Sequence, residues 1–139
     1  SMVGAPILGH RVVTLSREIY AGLLARDEDA AELERLRVPK IDLVYVDLYP
    51  LEDEIAKPNA TEASVIEKTD IGGPTLLRAA AKGRRILLCS GIQFDEALAY
   101  LDSIHPDSVF ITRLAAAAEL KVAAYAKTSG EYLEKMSEL

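Results

Sequence analysis

The stretch Ile41-Asp42-Leu43-Val44-Tyr45-Val46-Asp47-Leu48, closed by Tyr49-Pro50, constrains this 139-residue chain more than any other. It is apolar and β-branched, the pattern of a strand buried on both faces rather than one that alternates between core and water. Arg85 to Ser90 carries the same signature. The chain between and around the two runs reads as helices. Buried strands separated by helices imply an α/β layer fold around a mostly parallel sheet, because parallel neighbours need a long crossover. A third, shorter β-branched run, Arg11-Val12-Val13-Thr14-Leu15, reads as an edge or entry strand. Three strands are few for a sheet covered on both sides, so the expectation is three layers around an incomplete sheet flanked by helices.

The helical segments follow from apolar spacing and from the residues that start and stop them. Glu18 to Arg26 places Ile19, Leu23 and Leu24 on one side, and Asp27 caps a second helix running to Arg37. Leu51 to Asn59 reads as a loop around Lys57-Pro58-Asn59. Thr61, with Ser64 three residues on, opens a helix to about Lys68. Pro74 suits a first helical turn, so Thr75 to Lys82 is helical after the break at Asp70-Ile71-Gly72-Gly73. Gln93 to Ser103 is another helix, and His105-Pro106-Asp107 breaks the chain again. A long alanine-rich helix follows from Ser108 to about Thr128. Ser129-Gly130 then leads into a short last helix.

Half of the residues are apolar, which suffices for one compact domain over residues 1–139. The net charge of −6 repels a phosphate backbone and argues against nucleic acid as a partner, though not against a mononucleotide. The single cysteine, Cys89, excludes an internal disulfide and a cysteine zinc cluster, and its apolar neighbours predict burial. No apolar run approaches the ~20 residues that cross a bilayer, and no secretion signal is visible, so the cytoplasm is the expected location. Ser1-Met2 reads as a cleavage scar ahead of an initiator methionine.

Three features in the middle of the chain can carry chemistry. Tyr49 follows the carboxyl end of the first strand, where open α/β sheets bind ligands. Asp70-Ile71-Gly72-Gly73-Pro74 combines a carboxylate, two glycines that admit close approach, and a helix start with unpaired N–H groups. Arg78 and Lys82 share a helix face, with Lys82 in the last turn. Each also has an ordinary explanation: a loop tyrosine, a turn with a cap, and cations favoured by a helix dipole.

Taken together, these segments resemble the cyclohydrolase domain of the bifunctional formyltransferase/IMP cyclohydrolase family. The resemblance is carried by Ile41 to Pro50, by Ala56-Lys57-Pro58, and by Thr69 to Lys82, in that order. Arg11 to Leu15, Gly22 to Arg26, Arg113 and Ala123-Ala124-Tyr125 extend it over most of the chain. It implies closure of 5-formamidoimidazole-4-carboxamide ribotide to IMP, with a purine mononucleotide bound and no metal or organic cofactor. It also implies Tyr49, Asp70 and Lys82 as catalytic residues that handle protons and orient the substrate. Ile71 and Gly72 would offer backbone N–H groups to the developing oxyanion, and Arg11 and Thr14 would line the nucleotide pocket.

Several residues depart from the family. Val13 stands where the family has a catalytic lysine, and losing one donor to an oxyanion costs about 10²–10³ in rate. Asp47 replaces an asparagine and places a further carboxylate beside the substrate site. The family's glycine-rich, methylglyoxal-synthase-like first segment, which cradles the phosphate, has no counterpart before Arg11. The expected assembly is therefore a homodimer or a complex with a chain supplying that segment. A non-catalytic relative, serving as a nucleotide sensor or assembly scaffold, is the competing expectation.

Overall fold

The computed structural model describes residues 6–104 and 107–139. Of the expected break at His105-Pro106-Asp107, the first two residues lie outside the described ones. Helix α1 (Arg17–Leu24) starts where the Ser16 hydroxyl accepts the Ile19 N–H at 3.2 Å. A 3-10 turn (Asp27–Asp29) leads into α2 (Ala30–Leu36). That helix ends on Arg37 in the left-handed region (φ 57°), which lets the Val38 N–H return to the Leu33 carbonyl. Strand β1 (Leu43–Tyr45) follows, then α3 (Leu51–Ile55), α4 (Glu62–Lys68) and α5 (Gly72–Lys82). The chain returns through β2 (Ile86–Leu88) to α6 (Phe94–Leu101) and α7 (Ser108–Ser137).

β1 and β2 pair in parallel, Leu43 opposite Ile86, Val44 opposite Leu87 and Tyr45 opposite Leu88. This is the small parallel sheet of an α/β fold, formed by the two principal strands in their expected order; Leu43 and Tyr45 of β1 are exposed, so that strand is not covered on both faces. Adjacent side chains of a strand point to opposite faces. Leu87 accordingly joins the main core with Leu23, Leu48, Leu77, Ala80 and Ala118, whereas Leu88 joins a second cluster with Ala97, Phe110 and Leu114. α7 serves both clusters. Its alanines let α5 approach closely, and Leu77, Ala80 and Ala118 are fully buried where the two helices meet.

Four expectations need correction. Arg11 to Leu15 is not a strand among the described residues: Val12 forms only an isolated antiparallel bridge with Ile7, and no neighbouring strand extends it. The chain turns instead at Thr14–Ser16 to cap α1. Leu51 to Ile55 is a helix rather than loop, because Leu51 is drawn into the interior after Pro50. α5 begins at Gly72, three residues before the expected start, since Asp70 supplies its cap. α7 runs unbroken through Ser129-Gly130, with Lys127 and Glu131 facing each other across the glycine at 3.6 Å. One internal glycine costs only about 1 kcal/mol, too little to stop a helix of that length.

α1 is fixed from its carboxyl end. The buried Arg85 guanidinium donates to the carbonyls of Leu23 (2.8 Å), Gly22 (3.2 Å) and Ala25 (2.5 Å), groups that have lost their helical partners. Gly83 lets this happen, because a Cβ there would stand 1.9 Å from the Leu23 carbonyl oxygen. At the α3–α4 corner, buried Glu54 receives the Lys57 ammonium and the Tyr49 hydroxyl. The Lys57 bond is the main cause holding its carboxyl below the usual carboxylate range; burial opposes the shift.

Gly83→Ala should lower stability by about 1–3 kcal/mol, read from the urea midpoint, because backbone rather than a mobile side chain must move. A midpoint unchanged from the parent contradicts this packing. Glu54 titrates lower folded than unfolded, so its stabilisation is present above the ordinary carboxylate pKa and is lost as pH falls through the depressed folded value. The urea midpoint should therefore drop less steeply in Glu54→Gln than in the parent between about pH 5 and pH 3. Parallel slopes mean that the carboxylate has no favourable partner.

Candidate functional site

Tyr49 emerges four residues beyond β1, anchored by buried Leu48 and Leu51 on either side of Tyr49-Pro50. Its ring is about one-third exposed (36 %), and its hydroxyl donates to the Glu54 carboxylate at 3.4 Å. The Lys68 ammonium, at the end of α4, lies 5.2 Å from the ring centroid.

The corner that starts α5 faces the same space. Asp70 Oδ1 accepts the Gly73 N–H at 3.2 Å and so caps the helix. Both glycines leave room for neighbouring side chains to approach the backbone. A Cβ on Gly73 would sit 2.3 Å from Asp70 Oδ2, and one on Gly72 would sit 2.9 Å from the Thr14 hydroxyl. Pro74 has no N–H, and the Thr75 N–H returns to the Ile71 carbonyl. Among the described residues, the Ile71 and Gly72 N–H groups have no hydrogen-bond acceptor, which leaves two donors at the positive end of an 11-residue helix. The corner is tied from behind: the Asp70 N–H donates to the Tyr125 hydroxyl of α7 at 2.6 Å. Burial pushes the Tyr125 phenol up, so it stays protonated.

These groups line a cleft of about 560 Å³ that includes Arg11, Tyr49, Lys68, Asp70, Ile71 and Gly72, with Tyr132 and Leu133 of α7 on the far wall. Arg11 is not free. It pairs with Glu67 at 2.7 Å, beside His10 at 3.1 Å from the same carboxylate. The Arg11 hydrogen bond is the first cause that holds Glu67 below the usual carboxylate range.

Two expected site residues lie elsewhere. Asp47 faces a neighbouring groove of about 330 Å³, where Lys121 of α7 approaches its carboxylate at 3.1 Å and also donates to the Cys89 carbonyl. Its charge is thereby offset, and Tyr49 is the wall between the two spaces. Lys82 is exposed in the last turn of α5, ten residues and about 15 Å along the helix from Gly72, and does not line the cleft. Arg78, on the same face, ties α5 to Glu119 of α7 at 3.2 Å. The structure thus gathers Tyr49, Asp70, Ile71, Gly72 and Arg11, with Thr14 against Gly72.

Sequence reasoning passed over Glu54, Lys68 and Tyr125. Glu54 sits in an acidic triplet that reads as a solvated helix face, and only the Lys57 three residues on hints at pairing. Lys68 reads as an ordinary cation at a helix end. Tyr125 carried no signal beyond its place in the long helix. Among the described residues, no helix is long and apolar enough to cross a membrane.

No family model matches the chain. It is 43 % identical over 142 aligned positions to the bifunctional purine biosynthesis protein PurH of Thermosynechococcus vestitus, covering 96 % of this chain and 27 % of that protein. The PurH protein of Limosilactobacillus reuteri is 40 % identical over 139 positions, with the same coverage. That of Trichormus variabilis is 48 % identical over 101 positions, covering 68 % of this chain and 20 % of the relative. The chain spans about a quarter of the length of the curated relatives it matches. Among solved structures, the crystal structure of ForH superposes with a TM-score of 0.72 and 33 % identity, over 92 % of this chain and 70 % of that one. With its strand-and-helix order, its Asp70–Pro74 corner and these relatives in agreement, the chain belongs to the PurH family and matches the cyclohydrolase-like part of it.

Proposed function

We propose that this chain serves purine biosynthesis by IMP-cyclohydrolase-type ring closure of 5-formamidoimidazole-4-carboxamide ribotide. The observation that carries the reading is the pair of free N–H groups at Ile71 and Gly72, next to Asp70 and across the cleft from Tyr49. In this reaction the carboxamide nitrogen attacks the formyl carbon of the same molecule, and water is expelled as the second ring closes. Tethered reactants need chiefly to be held in the reactive conformer. The remaining demands are a proton acceptor for the amide and donors for the oxyanion on the formyl oxygen. Asp70 Oδ2, not used in capping, is available for the first, and the two N–H groups for the second. Tyr49, oriented through Glu54, has its hydroxyl at the rim to carry a proton. Arg11 and Thr14 stand beside the same corner as nucleotide contacts.

A second reading, a non-catalytic relative that senses a nucleotide or supports an assembly, draws on two observations. Val13 offers no donor, and Lys82 is remote from the cleft. An assembly is part of either proposal. β1 pairs only with β2, so its other edge has no strand among the described residues, and Leu43 and Tyr45 on it, with Phe94 packed against Tyr45, are 43–44 % exposed. An open strand edge with apolar neighbours recruits another chain. We infer a homodimer or a complex with a chain that adds strands there.

The purified chain should convert the formamido ribotide to IMP, followed by absorbance. Tyr49→Phe and Asp70→Asn should each lower kcat by about 10²-fold or more, and the double variant should lose little further, as for groups acting on one transition state. Lys82→Met should change kcat less than about threefold if the site is built within one copy. Absence of turnover in the parent, with intact IMP binding, favours the non-catalytic reading. Light scattering over a wide dilution range checks assembly: a monomer at every concentration, with or without IMP, contradicts it.

A further inference from the structure

We propose that Lys68 is a catalytic residue of this cleft, its ammonium binding the substrate oxygen on which negative charge develops. The inference rests on the ring-closure reading and adds a residue to it. Lys68 ends α4, two positions before Asp70, and lines the cleft together with Tyr49, Ile71 and Gly72. Its ammonium stands over the Tyr49 ring, 5.2 Å from the centroid, which places a positive charge at the Tyr49 wall of the cleft.

The pairing of the surrounding cations singles it out. Arg11 is spent on Glu67, Lys57 on Glu54, and Lys121 on Asp47. Among the described residues, Lys68 alone of the cations lining this cleft has no carboxylate partner. Val13, on the approach to Thr14, contributes no charge. Nor is Lys68 occupied in ending its own helix. The Thr69 N–H and hydroxyl already serve the carbonyls of Ile66 and Val65, at 3.1 and 3.0 Å. An unpaired cation beside two unpaired N–H groups, in a chain of net charge −6, is an arrangement for an anion or a developing one.

The test uses the full chain with Lys68→Met, Lys68→Arg and, as a control, Lys127→Met on the outer face of α7. Lys68→Met should lower kcat by tenfold or more with KM changed less than about threefold, because the charge it meets appears only in the transition state. Lys68→Arg should recover most of that loss, the control should match the parent, and all melting curves should coincide, since the side chain is exposed. A raised KM at unchanged kcat, as expected for a contact to the standing phosphate, overturns the assignment, and so does no change in either. Should the parent itself fail to close the ring, that failure belongs to the ring-closure reading. Lys68 is then judged by NMR of its ε-CH₂ group during titration with IMP. A saturable shift supports a cation facing the bound nucleotide, and no shift at saturating IMP overturns it.

Discussion

The guanidinium of Arg85 holds together parts of the chain that are otherwise about sixty residues apart. It enters β2 and immediately gathers the last carbonyls of α1, so the sheet, the end of α5 and the end of α1 meet at one buried corner. A charged group is tolerated there because the Leu23 and Ala25 carbonyls would otherwise lack a donor, and it adds a second one to the Gly22 carbonyl, which the Ile41 N–H already reaches at 3.0 Å; hydrogen bonds to a charged donor are worth about twice those between neutral groups. Gly83 is the steric condition for that corner. With α1 locked, α5 is confined between α1 and α7, and its amino end has only one place to go: beside the loop that carries Tyr49.

At that amino end, structure and chemistry divide one side chain. Asp70 spends Oδ1 on capping α5, while Oδ2 lies where a Cβ on Gly73 would stand, so any side chain there would have to displace the carboxylate. Helix termini in general offer N–H groups to anions; this one offers two because Pro74 removes a donor and Asp70 satisfies another. The Tyr125 hydroxyl then fixes the plane of the Asp70 peptide from the opposite side. The donors are thus preorganised by contacts that leave them free, which is what an oxyanion site requires.

The main elements were legible because they are written in local chemistry: two apolar strand runs, the Thr61–Ser64 reciprocal cap, and Pro74 in a first turn. What proved illegible depended on neighbours. Val12 and Val13 have strand propensity but no strand to pair with, and propensity without a partner yields a turn. Leu51 to Ile55 became helical because Leu51 is buried, a fact fixed by α4 and α7 rather than by its own sequence. Residues of the corner, Asp70 to Gly72, were readable because a single turn places them. Lys82 was grouped with them by resemblance, and the length of α5 separates it. Tyr125 reaches the Asp70 peptide across the fold, and Lys68 meets Tyr49 only once α3 and α4 are folded together, so spacing along the chain carries no trace of either contact.

The unbroken α7 has a consequence for how this protein can vary. Phe110 and Leu114 near its start fill one core cluster, Ala118 fills the other, and Tyr125 meets the Asp70 peptide half a helix later. Inserting or deleting one residue between Leu114 and Tyr125 rotates everything downstream by about 100° relative to the seated portion. The phenol would then swing off the corner, and Tyr132 and Leu133 would leave the cleft wall, although every residue type had been kept. In this segment the count of residues matters to the cleft independently of their identity.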